Sequence, residues 1–154
     1  MIPEEMKRCI GLVDPPIIFE IEKGAIRRYA EAVGDDNPLH RDEAYAANSR
    51  YGGIIAPPGF FGWPLGQAVI GKAAGQVITA AFDAGHVMML DAGKSYEFFL
   101  PVRPGDTLIC SPEVEDVVEK EGKGGAMFIV SFKNTYRNQN GDIVANAYHS
   151  MIFR

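Results

Sequence analysis

Two periods of apolar residues divide the chain. In the segment Glu22 to Val33, Ile26, Tyr29, Ala30 and Val33 recur at i, i+3, i+4 and i+7, with Arg27, Arg28 and Glu31 on the opposite side. That spacing predicts an amphipathic helix. Gly34 can take the left-handed conformation that ends a helix, and the run Asp35, Asp36, Asn37, Pro38 cannot continue one. A short second helix is predicted from Asp42 to Asn48, with Ala44, Tyr45 and Ala47 available to pack, and a glycine and proline loop, Tyr51 to Pro58, follows it. From Gly59 to about Phe82 the residues are small or apolar nearly all round, Lys72 being the single charge. A helix hydrophobic on most faces is one that other elements wrap.

Beyond about Gly93 the period becomes two. Phe128, Val130, Phe132 and Tyr136 alternate with Ile129, Ser131 and Lys133, as in a strand with one buried face. Similar strands are readable at Lys94 to Leu100, Thr107 to Val118 and Asp142 to Phe153, and a further one is predicted at Ile17 to Glu22. Turn signals link them: Arg103-Pro104-Gly105-Asp106, then Glu121 to Gly125 with three glycines, then Asn138 to Gly141 ending in Asn-Gly. Three consecutive hairpins predict an antiparallel meander. One apolar helix and one such sheet must bury each other, so the expected class is α+β, with the sheet curled around the helix.

At 154 residues the chain is expected to form one domain. The scaling of surface with mass gives about 7,700 Å² for its folded surface, enough burial for a core without metal or disulfide support. The composition, 47% hydrophobic and 23% charged, is that of an ordinary soluble protein. Lys and Arg number 15 against 20 Asp and Glu, with no basic cluster, so a nucleic-acid partner is not expected. Cys9 and Cys110 lie far apart and fit no metal-ligand spacing. The start, MIPEEMKRC, lacks the basic-then-apolar pattern of a secretory signal, and a cytoplasmic location is expected. Gly52 to Gly71 holds twenty residues without a charge, but its three prolines and six glycines fit a buried soluble helix better than a membrane span.

The segment Gly34-Asp35-Asp36-Asn37-Pro38-Leu39-His40 is the first that suggests chemistry. Pro38 fixes its own φ and pushes Asn37 towards an extended conformation, which makes a compact turn with converging side chains. Across it an ionised aspartate and an imidazole can share one water and exchange protons with it, work worth ~10²- to 10⁴-fold in rate. The same residues also make a good structural turn, because Asp and Asn side chains cap backbone amides. The second candidate is Ala56-Pro57-Pro58-Gly59-Phe60. The first amides of a helix have no internal partners, so the Gly59 N–H could hold a carbonyl oxygen gaining negative charge. Pro-Pro-Gly is also a common helix entry with no chemical role. His149, on a strand face with Ala145, Ala147, Met151 and Phe153, reads as a core or interface imidazole, and His86 reads as a loop residue.

The order of these parts resembles the MaoC-like dehydratases and R-specific enoyl-CoA hydratases. The resemblance rests on Gly-Asp-x-Asn-Pro-x-His, a short helix with Asp42 and Tyr45-Ala46, Ile54 to Gly59, and Tyr96 to Asp106, and it spans Ile17 to Phe153. It implies a single hot-dog domain over residues 1–154, a curled antiparallel sheet around a central helix. It implies further that Asp35 and His40 are the acid/base pair, with Asn37 between them, and that the Gly59 N–H receives the thioester carbonyl. The implied reaction is reversible syn hydration of a trans-2-enoyl-CoA or other enoyl thioester to an R-3-hydroxyacyl product, without metal or organic cofactor. Relatives pair their sheets, so a homodimer, or a heterodimer with a second hot-dog chain, is expected. One departure stands out: the family's hydratases often carry His-Gly where this chain has Pro58-Gly59. Ala-Pro-Pro is typical of members forming one half of a heteromeric dehydratase, some of which only shape the acyl pocket. An acyl-CoA thioesterase on the same fold is the other alternative. Arg50, Lys72, Arg103 and Arg154 are the cations available for CoA phosphates.

Overall fold

The computed structural model describes residues 1–62, 65, 71–122 and 124–154. A short helix α1 (Glu4–Lys7) precedes strand β1 (Ile17–Glu20) and helix α2 (Lys23–Val33). A 3-10 turn (Pro38–His40), helix α3 (Glu43–Ala47) and a second 3-10 turn (Pro58–Phe61) follow, then helix α4 (Lys72–Asp83). Strands β2 (Met89–Phe98), β3 (Thr107–Gly122), β4 (Gly125–Arg137) and β5 (Ile143–Phe153) complete the chain. The five strands form one antiparallel sheet in the order β1-β3-β4-β5-β2. This is the curled sheet of a hot-dog fold.

Phe128, Val130, Phe132 and Tyr136 lie on the buried face of β4, as their alternation predicts. In β3 the buried positions run Leu108, Cys110, Pro112, Val114 and then Val117, because a bulge between Val114 and Asp116 shifts the alternation by one residue. The β4–β5 hairpin turns at Gly141 (φ 87°), and the Asn138 side chain accepts both the Asn140 and Asp142 N–H at 3.0 Å.

Three expectations are corrected. The meander holds only for β3, β4 and β5: β2 pairs with β5 and not with β3. The Arg103–Asp106 turn therefore is not a hairpin between β2 and β3. Its Gly105 N–H instead reaches the Ile21 carbonyl at 2.8 Å, beside β1, which forms the edge next to β3. Period-two patterning selects which residues form strands but not which strands are neighbours. The second correction concerns the apolar helix expected from Gly59 to Phe82. The described residues form a 3-10 turn at Pro58–Phe61 and a separate helix from Lys72, and positions 63, 64 and 66–70 lie outside the described residues. Helix α4 is also two-faced: Ala73, Ala74, Val77 and Ala81 are buried while Lys72, Gln76 and Thr79 face outward. Third, in α3 Ala46 is the residue buried, and Tyr45 points outward.

The start of α4 has a tertiary cause. Asp14, held by its N–H to the Pro112 carbonyl at 2.9 Å, turns its buried carboxylate onto the Ala73 N–H at 2.9 and 3.1 Å. It thus caps a helix 59 residues away in sequence. Gly71 is extended there (φ −89°, ψ −168°), and any side chain on it would overlap the carboxylate. No helix among the described residues is long and apolar enough to cross a membrane. Replacing the cap, Asp14→Ala, is expected to lower stability by about 1–2 kcal/mol. Urea denaturation followed by far-UV circular dichroism measures it, and an unshifted midpoint would show that the cap contributes nothing.

Candidate active site

Helix α2 ends as its sequence dictates: Gly34 is left-handed (φ 70°), and the Asp35 N–H turns back to the Ala30 carbonyl at 2.9 Å. The chain then builds a turn from its own side chains. Asp35 Oδ1 accepts the Asn37 N–H at 3.0 Å, and Asn37 Oδ1 accepts the Leu39 N–H at 3.1 Å, opening the 3-10 turn at Pro38. Arg41 fastens the outside of the turn, donating to the Asp36 carbonyl and to Asp36 Oδ1, both at 2.7 Å. This capping engages Asp35 Oδ1 and leaves Oδ2 outside the turn's own hydrogen bonds.

That free oxygen lies 3.4 Å from His40 Nε2. The imidazole is buried, 4% exposed, whereas the Asp35 side chain is 34% exposed. His40 Nδ1 is 2.8 Å from the Ile55 carbonyl. A carbonyl only accepts, so Nδ1 carries the hydrogen, and in the neutral ring Nε2 is left with its lone pair facing Asp35. The loop that supplies this carbonyl is pinned at both sides, Ile55 N–H to Leu39 O at 3.3 Å and Ala56 N–H to Val102 O at 2.8 Å. A separation of 3.4 Å exceeds a good direct N–H···O bond, and two acceptors facing each other are satisfied by a water donating to both. Protonating the ring would convert the same contact into an ion pair.

Asp35, Asn37, His40 and Pro58 line one cavity of about 570 Å³, within the range of small-molecule sites. Gly59, exposed, follows Pro58 in the second 3-10 turn, and among the described residues its N–H has no backbone acceptor. Apolar walls come from Phe61, Phe98, Phe99 and Leu100. Of the four cations considered, only Arg50 lines the cavity, its guanidinium 4.7 Å above the Tyr51 ring. Phe61 also borders a second, smaller cavity of about 90 Å³ under α4, whose lining includes Lys94, Asn134 and His149. Phe61 is held there by the Tyr136 ring at 4.9 Å and the Phe98 ring at 5.7 Å.

The remaining candidates lie elsewhere. His149 approaches Asp91 at 3.3 Å on β2, and His86 packs edge-on against Phe128 at 4.5 Å. Burial pushes the Cys110 thiol up to about 12, so it is inert at neutral pH. Side-chain identity gave no sign of the Ile55 carbonyl, of the approach of the Tyr29 hydroxyl to Gly59 or of the Phe98–Leu100 wall. A backbone acceptor has no signature in side-chain identity. Tyr29 read only as part of an apolar helix face.

A family model described as "FAS1-like, dehydratase domain region" matches residues 8–147. The UPF0336 protein of Mycobacterium tuberculosis is 32% identical over 142 residues, covering 90% of this chain and 83% of that one. The ChsH1-ChsH2 complex from Mycobacterium tuberculosis superposes with a TM-score of 0.83 over 97% of this chain and 88% of its own, at 21% identity, a likeness of fold. The HadBC (3R-hydroxyacyl-ACP dehydratase) complex from the same organism gives 0.72 at 26% identity, covering 94% of this chain and 96% of its own. If the Ile55 contact sets the ring, a long-range ¹H–¹⁵N spectrum at alkaline pH will show neutral His40 as the Nδ1–H tautomer. An Nε2–H pattern would refute the assignment.

Proposed function

The chain belongs to the FAS1-like dehydratase-domain family, and on that premise we propose that it is a hydro-lyase adding water reversibly to trans-2-enoyl thioesters to give R-3-hydroxyacyl products. The observation that carries this reading is the His40 Nε2 to Asp35 Oδ2 approach of 3.4 Å at the edge of an apolar-walled cavity. The water shared by the pair loses a proton to it as its oxygen bonds to C3. The C2=C3 electron pair moves to the thioester oxygen as an enolate, which the Gly59 N–H receives. C2 then takes a proton back from the pair, so the atoms balance as addition of H₂O. Because one pair on one side of the substrate handles both steps, the addition is syn. Desorption of the product leaves Asp35 and His40 in their starting protonation states.

The nearest competing reading is a subunit that binds the acyl group without turning it over, favoured by Pro58 in place of histidine before Gly59 and by the heteromeric complexes among the structural neighbours. Purified chain is expected to hydrate a short or medium trans-2-enoyl-CoA, followed by loss of enoyl absorbance. Asp35→Asn and His40→Gln are each expected to lower kcat about 10²- to 10⁴-fold with the circular dichroism spectrum retained. Turnover unchanged in both would discard the mechanism, and release of free thiol from a saturated acyl-CoA would identify a thioesterase instead.

The assembly is proposed on surface chemistry. Strand β2 is an edge with almost every residue exposed, and large apolar side chains cluster at its two ends. Val87 is 69% exposed, Phe98 47% and Phe99 56%. The chain exposes 8635 Å², above the ~7,700 Å² expected of a monomer of this size. A second hot-dog chain, identical or related, covers this edge and completes the cavity wall that Phe98 and Phe99 begin. Sedimentation equilibrium at micromolar concentration is expected to give at least a dimer with itself or with that partner, and Phe99→Glu is expected to dissociate it. A monomer that turns over substrate at full rate would contradict the assembly.

A further inference from the structure

The 3-10 turn that presents Gly59 is gripped from behind by two tyrosines. A side chain on Gly59 would overlap the Tyr29 hydroxyl oxygen and would lie 3.3 Å from Tyr29 Cζ and 3.5 Å from Cε1. A side chain on Gly62, at the end of the same turn, would come 3.1 Å from the Gly59 carbonyl oxygen and 3.2 Å from the Tyr96 hydroxyl. The turn itself is closed by the Gly62 N–H to the Gly59 carbonyl at 2.8 Å. Gly59 thus vacates space that the Tyr29 oxygen fills, while Gly62 lies in tight contact with both its own turn and Tyr96. The two phenols come from different elements, Tyr29 from α2 and Tyr96 from β2. Tyr29 also sets its ring edge-on against Phe60, between the two glycines, at 5.8 Å and 89°.

Helix α2 carries a second duty in the same turn. One residue after Tyr29, the Ala30 carbonyl accepts the Asp35 N–H. A rigid helix therefore connects the residue touching Gly59 to the residue aiming the carboxylate. We propose that Tyr29 is a positioning residue, its hydroxyl setting where the Gly59 N–H stands relative to the Asp35–His40 pair. This rests on the hydratase reading for its catalytic consequence, while the contact itself does not. A hydrogen-bond donor to an enolate oxygen matters most in the transition state, so displacing it lowers kcat more than it raises KM.

Three variants test it, each measured for kcat, KM and thermal unfolding. Tyr29→Phe keeps the ring on Phe60 and removes only the oxygen; kcat is expected to fall about fivefold with KM within about twofold of wild type. Gly59→Ala keeps the N–H but forces the turn away from Tyr29, with kcat expected down at least about 100-fold and a lower melting temperature. Adding Tyr29→Phe to Gly59→Ala frees the space for the new methyl and is expected to restore most of the melting temperature and part of kcat. A loss in kcat for Tyr29→Phe with KM and melting temperature near wild type is the outcome a purely structural role for Tyr29 would not give. The proposal is overturned if Tyr29→Phe leaves kcat unchanged, or if the double variant is no better than Gly59→Ala. Wild-type protein without enoyl-CoA turnover would remove the hydratase reading and the positioning role together, whereas the melting temperatures would still decide the Tyr29–Gly59 contact.

Discussion

The hydrogen bond from His40 Nδ1 to the Ile55 carbonyl is the constraint on which the site depends. It fixes both the plane and the tautomer of a buried imidazole, and so decides that a lone pair rather than a hydrogen faces Asp35. Without it, the short spacing between aspartate and histidine would be only a turn. The bond is secure because the loop carrying the acceptor is itself tied to Leu39 and Val102. A backbone carbonyl is well suited to this duty, since it cannot rotate away or change protonation state.

The same economy governs the rest of the site. Asp35 uses one oxygen for the Asn37 amide and leaves the other for the imidazole. Asn37 spends its carbonyl on the Leu39 amide, so its part in the turn is structural whatever else its side chain meets. Helix α2 meets both Asp35, through the Ala30 carbonyl, and the second 3-10 turn, through Tyr29 beside Gly59. The buried cluster beneath, with Ile26, Phe60, Phe61, Leu108 and Tyr136, leaves little freedom for these parts to shift independently. A second cluster under α4, with Met6, Val77, Val114, Val130 and Phe153, supports the other end of the sheet. Phe61, in the first cluster, lines both the larger cavity and the smaller.

Much of this was legible in the residue order, and the legible part has a common physical character: it is local. The 3.6-residue period of α2, its glycine stop, the two-residue period of β4 and the Asn-Gly turn before β5 all act over fewer than about twelve residues, where backbone sterics and one-sided burial are enough. The convergence of Asp35 and His40 belongs here too, because five residues and a proline confine both side chains to one turn. What misled the reading was also local. Continuous small and apolar composition from Gly59 to Phe82 suggested one helix, yet the described residues place a helix start at Gly71, where a carboxylate from Asp14 supplies the cap.

By itself, then, the sequence determined helix α2 and its stop, the segments that become strands, the α+β class and the turn that holds Asp35 and His40, since each follows from interactions between near neighbours. Only the tertiary structure decided that β2 crosses to pair with β5, that Ile55 selects the tautomer of His40, and that Tyr29 backs Gly59. Those outcomes depend on atoms 15 to 64 residues apart, several of them backbone groups that every residue carries, and no side-chain pattern encodes which of them will meet.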